Sequence, residues 1–181
     1  QTFSRTSRPF GFHLDCLDEF ADIVTVGKIS QVCATLYGEA FTPQAPILSQ
    51  TFTGSSSSIA TGLAMLDALQ SGGCFGESGQ NARRHEYFAE GLAKLGKNHS
   101  GLIRGPYGEG MMIGFTPSDG SFEQAKSLMM TMYDTGLLGF VCGSDPTRIR
   151  CLPPPATTTL EHIDAAIELM DQSLQRFEDL T

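Results

Sequence analysis

One lysine closes a short β-branched run, Asp22-Ile23-Val24-Thr25-Val26-Gly27-Lys28. Alternation that stops at Gly followed by Lys predicts a buried strand delivering a single amine to the edge of a sheet. An amine held there loses solvation, its pKa falls, and it attacks a carbonyl carbon as a nucleophile, which is the work of a Schiff-base lysine. The plainer reading is a strand-ending lysine pointing into water, and taken alone the residue favours it. Other reactive side chains offer less. His13, His85, His99 and His162 share no metal-ligand spacing, so they are expected at the surface or in packing, with no metal bound. Ser55 to Ser58 lie in no G-x-S-x-G elbow, and no Walker phosphate loop is present.

The elements that must position Lys28 read as mixed α/β. An irregular stretch over residues 1–20 precedes the strand ending at Gly27, and residues 32–38 read as a second strand. A loop with Pro43 and Pro46 leads to Thr51-Phe52-Thr53-Gly54 and the serines, which open a helix carrying Ile59, Leu63, Leu66 and Leu69 at helical spacing. Gly72-Gly73 ends that helix and marks the expected domain boundary, with one unit over 1–72 and another over 73–181. In the second unit, residues 78–97 carry Tyr87, Phe88, Leu92 and Leu95 on one helical face, and strands are expected around 102–104 and 110–115. Ser121-Phe122-Glu123-Gln124 is a capping box for a helix with Phe122, Ala125, Leu128, Met129 and Met132 on one side, the methionines serving as core filler. Short strands follow at 137–141 and 147–152. Thr158-Thr159-Leu160-Glu161 reads as a second capping box, opening a final helix striped by Leu160, Ile163, Ile167, Met170, Leu174 and Phe177. Two capped helices on a small sheet make an α+β lobe.

Composition excludes some classes. The chain has 181 residues, enough for one domain or two small ones with a real core. Twenty acidic against twelve basic side chains leave a net charge of -8 without a basic cluster, which argues against a nucleic acid or acidic membrane surface as partner. Cys16, Cys33, Cys74, Cys142 and Cys151 are scattered without C-x-x-C spacing and read as reduced thiols of a cytoplasmic protein. No apolar run approaches membrane-spanning length.

Five blocks stand in a telling order: Gln1-Thr2-Phe3-Ser4-Arg5-Thr6, Asp22 through Lys28, Thr51-Phe52-Thr53-Gly54, Arg104-Gly105 with Gly110-Met111-Met112-Ile113-Gly114, and Arg150-Cys151-Leu152-Pro153-Pro154. The series resembles class III aminotransferases, pyridoxal-phosphate enzymes of fold type I such as ornithine, acetylornithine and lysine ε-aminotransferases. The resemblance implies the C-terminal part of such a transferase: the end of the large α/β cofactor domain over 1–72 and the small α+β domain over 73–181.

Carried over by position, the resemblance assigns roles. Lys28 matches the lysine that bonds the pyridoxal phosphate and, once displaced by an amino substrate, shuttles a proton. Gln1 matches the last residue of the Asp-Glu-Val-Gln motif, near the phenolic oxygen of the cofactor. Thr51 matches the threonine that reaches the cofactor phosphate of a neighbouring subunit, which implies a homodimer, although the usual Thr-Phe-Gly-Gly-Asn-Pro reads Thr51-Phe52-Thr53-Gly54-Ser55-Ser56 here. Arg150 matches the arginine that clamps a substrate carboxylate, a task suited to its planar fork of donors, with Arg148 on the same strand face as competitor. Arg5 is one residue out of step with Gln-Thr-Gly-Phe-Gly-Arg-Thr and receives no role. The implied reaction moves an amino group from an amino acid or amine to a 2-oxo acid. Alternatives are a class III aminomutase or decarboxylase, or a non-catalytic fragment of such an enzyme.

Overall fold

The computed structural model describes residues 2–45 and 54–179. The β-branched run forms β1 (Ile23–Val26), which pairs antiparallel with β2 (Ala34–Tyr37), Ile23 opposite Tyr37 and Val26 opposite Ala34. These two strands make a sheet of their own. A single 3-10 turn, Lys28–Ser30, begins the connection between them. Helix α1 (Ser56–Ser71) starts where the serines predict, with the Ser55 hydroxyl accepting from the Ser58 N–H, and Gly72 caps its end. Its apolar stripe behaves differently from expectation. Only Leu69 is buried, while Ile59, Leu63 and Leu66 are exposed, Leu63 to 63%. They line an apolar groove of about 290 Å³ with Phe3, Phe10, Val26 and Leu36. Two short strands are too narrow a layer to cover a whole helix face.

The remaining elements form the expected α+β unit. Helices α2 (Gln80–Asn98) and α3 (Phe122–Thr135) pack on an antiparallel sheet of β3 (Ile103–Glu109), β4 (Met112–Pro117), β5 (Phe140–Cys142) and β6 (Arg148–Cys151), and α4 (Leu160–Glu178) packs against α2 and α3. The strand order is β3-β4-β6-β5. Leu92, Leu95, Ile113, Phe115, Leu128, Met132, Ile149, Met170, Leu174 and Phe177 fill the core between the layers. Period-two alternation on β6 turns Ile149 and Cys151 into that core and leaves Arg148 and Arg150 on the other face. Burial pushes the Cys151 thiol up to about 12, so it stays protonated and packs as a small hydrophobe.

Three stripe residues depart from expectation. Tyr87 leaves the core face and donates its hydroxyl to Asp164 Oδ1 at 2.7 Å. Phe122 and Leu160, each the first residue of its helix, are exposed. The cap of α4 is Thr159 rather than Thr158, and His162 fills the reciprocal place expected of an acidic or amide residue. Thr159 Oγ1 accepts from the His162 N–H, and His162 Nδ1 accepts from the Thr159 N–H. At α3, Ser121 Oγ accepts from the Gln124 N–H, but the reciprocal half of the expected capping box is replaced: the Ser121 N–H donates to Asp119 Oδ1. No described helix is long and apolar enough to cross a membrane.

Candidate active site

Lys28 follows extended Gly27 and adopts a left-handed backbone, φ +59°. Side chains other than glycine rarely take this region, and such strain gathers where structure is held for function. The Lys28 carbonyl accepts twice from Gln31, from the backbone N–H at 3.0 Å and from Nε2 at 3.1 Å, which closes the turn. Ile29 and Ser30 are buried while Lys28 itself is exposed. The desolvation expected of a sheet-edge amine is therefore not supplied by the described residues. Ile29 packs with Leu69 and Cys74, and Ser30 Oγ donates to the Val32 carbonyl at 2.6 Å.

The turn rests on α1 at Gly62, where a Cβ would sit inside van der Waals distance of the Ser30 carbonyl oxygen. That neighbour is backbone and cannot swing aside. Gly62→Ala is expected to lower stability by about 1–3 kcal/mol through overpacking, read as a lower urea midpoint at unchanged m-value.

Arg150 stands on β6 opposite Gly114 of β4 and Phe140 of β5. Its Nε is buried with no hydrogen-bond partner. Arg148 is differently placed: its guanidinium lies 4.5 Å above the Tyr107 ring, a cation–π contact that occupies it. Arg148 Nε is likewise buried without a hydrogen-bond partner among the described residues, so the contact with Tyr107 is what distinguishes the two arginines.

Arg5, given no role by sequence, is 8% exposed and lies close to this place. One terminal nitrogen donates to the carbonyls of Leu152 and Pro153, at 3.3 and 3.2 Å. Its own carbonyl accepts from Met111 N–H at 2.7 Å, and Asn81 Nδ2 donates to the carbonyls of Ser4 and Thr6 on either side. Burial lowers the pKa of Arg5, and the nearby positive charge of Arg150 lowers it further. The signal that marks it in sequence is only the Arg5-Thr6 pair. The segment after Arg150 links the two sites: Arg5 holds Leu152 and Pro153, and Ala156 packs on the Ile29–Leu69–Cys74 cluster beneath the Lys28 turn. Gln1 and Thr51 lie outside the described residues.

An exposed amine in a tight left-handed turn fits a cofactor aldehyde held covalently, and an unpaired guanidinium fits a carboxylate. No group of metal-ligating side chains occurs among the described residues.

No protein-family model matches the chain. Two comparisons with solved structures define the fold. Lysine aminotransferase from Mycobacterium tuberculosis matches with a TM-score of 0.80 at 21% identity, over 97% of this chain and 40% of that one. Acetylornithine aminotransferase from Elizabethkingia anophelis matches with a TM-score of 0.75 at 21% identity, over 96% and 43%. The fold is that of the C-terminal portion of a fold type I, class III aminotransferase. Its homologues by sequence include an L-lysine-epsilon aminotransferase of Mycobacterium tuberculosis, 25% identical over 166 residues, 87% of this chain and 35% of the relative. An acetylornithine aminotransferase of Caldanaerobacter subterraneus is 29% identical over 124 residues, 68% of this chain and 29% of the relative. The chain thus spans about a third of the length of the curated relatives it matches.

Proposed function

We propose that this chain supplies the reactive lysine and the carboxylate-binding arginine of a pyridoxal-phosphate-dependent aminotransferase. The whole protein then transfers an amino group from an amino acid or amine to a 2-oxo acid. The observation that carries this reading is Lys28, a left-handed lysine in a buttressed turn, within a chain whose homologues are aminotransferases. Residues 1–72 belong to the cofactor domain and 73–181 to the small domain, and the protein is a cytoplasmic homodimer in this reading.

Pyridoxal phosphate, when bound, supplies the electron sink for breaking a bond at the substrate carbon. Lys28 would hold it through Nζ, Gln1 would lie near its phenolic oxygen, and Thr51 would reach its phosphate across the dimer. Once free of the cofactor, Lys28 Nζ would accept the proton from the substrate carbon and hold it for its return. Arg150 orients the substrate by pairing with its carboxylate, which fixes the carbon beside Nζ.

The reaction class is tested by product. Supply of an amino acid with 2-oxoglutarate is expected to yield the matching oxo acid and glutamate in equal amounts. Release of carbon dioxide, or an isomerised amine formed without an acceptor, would instead assign the decarboxylase or aminomutase reading. Arg150→Ala is expected to raise KM for carboxylate substrates about 10- to 100-fold with a smaller change in kcat, since a charge-assisted pair is worth about 1.5–3 kcal/mol. Equal efficiency of the Arg150→Ala protein would remove the clamp role.

A second reading, a chain without a competent site of its own, is favoured by the exposure of Lys28 and by the uncovered Ile23, Leu36 and Leu63. Titrating the purified chain with pyridoxal phosphate separates the two, because only a competent site develops a saturable visible absorption band.

A further inference from the structure

Arg5 and Arg150 make an arrangement that the carboxylate reading does not use in full. Both, like Arg148, have a buried Nε without a hydrogen-bond partner among the described residues. The ion pairs found among the described residues all involve histidine, so neither guanidinium is matched by a carboxylate there. Two buried or half-buried cations close enough to feel each other's charge repel, and an anion placed against them relieves that repulsion. Arg5 cannot retreat. Its carbonyl is bound by Met111, its neighbours are bound by Asn81, and its guanidinium is tied to Leu152 and Pro153, the second and third residues after Arg150. The lowered pKa of Arg5, caused first by burial and then by Arg150, agrees with this placement.

We propose that Arg5 is a positioning residue for a carboxylate site at Arg150, fixing the Leu152–Pro153 backbone and adding a buried positive charge behind the arginine that meets the ligand. The proposal rests on the reading of Arg150 as the carboxylate contact. It separates two contributions of Arg5, a tether made by hydrogen bonds and a field made by charge. Arg5→Gln removes the charge and, being shorter, the reach to the two carbonyls, whereas Arg5→Lys keeps the charge and a donor at similar reach but loses the planar fork.

The test uses the full-length protein and succinate as probe, following the side-chain Nε–H resonance of Arg150 by NMR, assigned by its loss in Arg150→Lys. In the wild type, succinate is expected to move that resonance saturably. Arg5→Gln is expected to weaken binding about tenfold, the scale of one extra charge acting at moderate dielectric, and Arg5→Lys to stay within about threefold of wild type. Binding by Arg5→Gln within twofold of wild type overturns the proposal while leaving the Arg150 clamp intact. No movement of the Arg150 resonance in the wild type sinks the clamp reading itself, and the Arg5 proposal with it. Should Arg5→Gln fail to fold, Arg5→Lys decides: a folded Lys variant more than tenfold weaker than wild type rules out the charge argument.

Discussion

Lys28→Ala is expected to abolish amino-group transfer, lowering kcat by at least about a thousandfold, because it removes both the covalent attachment and the group that moves the proton. The visible band formed with pyridoxal phosphate should vanish with it. Among the described residues no other lysine lies near that turn. The remaining lysines are Lys94 and Lys97 on α2 and Lys126 on α3, on the helices of the small sheet rather than in the β1–β2 ribbon. Lys28→Arg should be as inactive as the alanine variant, since a guanidinium keeps the charge but is not a nucleophile at neutral pH. A Lys28→Ala protein that keeps the band, or turns over within tenfold of wild type, would rule out the assignment. The left-handed backbone adds a second signature: Lys28→Gly should bind no cofactor yet fold at least as well, because glycine takes this φ freely.

The second large effect is expected at Gly110, at the tip of the β3–β4 hairpin. Gly110 has φ +57°, and a Cβ there would crowd the Arg5 carbonyl and lie 2.6 Å from Thr6 Cα. Its carbonyl also accepts from His85 Nδ1 at 2.8 Å. Gly110→Ala therefore meets backbone on one side and loses the relaxed left-handed conformation on the other. A left-handed non-glycine residue costs about 1–2 kcal/mol. Separating Met111 from Arg5 adds the penalty of a buried unpaired group, about 1–3 kcal/mol. A net loss of about 2–4 kcal/mol is expected in chemical unfolding. Faster hydrogen exchange at Met111 N–H should accompany it, since that amide is bonded to Arg5. A stability change below about 0.5 kcal/mol would mean that the segment around Arg5 is not held as described.

Much of the scaffold is legible in the sequence because its signals are local. The Ser55 and Ser121 caps, the Gly72-Gly73 stop and the β-branched run before Lys28 depend on groups three or four residues apart, so the chain displays them directly. Alternation on β6 likewise separates Ile149 from its arginine neighbours, since successive strand residues point to opposite faces. Less is legible where an apolar face needs a partner. Ile59, Leu63 and Leu66 have the spacing of a buried stripe, yet periodicity reports which side of a helix is apolar and says nothing about what covers it. Phe122 and Leu160 fail likewise: each has stripe spacing, yet each is exposed at the first position of its helix.

The sequence by itself carried the resemblance to class III aminotransferases, through the order of the five blocks, and it singled out Lys28 as the candidate reactive residue. Both are written in short stretches of chain, so neither needs distant residues to meet. Tertiary structure alone decided the surroundings of the arginines. Arg148 is occupied by Tyr107, and Arg5 reaches Leu152 across 147 positions of chain. Neither contact has a local sequence signature, because each is made by strands and segments that meet only when the sheet closes. The same holds for Lys28: its strand is written in the residues before it, but its left-handed turn and the helix glycine beneath it come from packing.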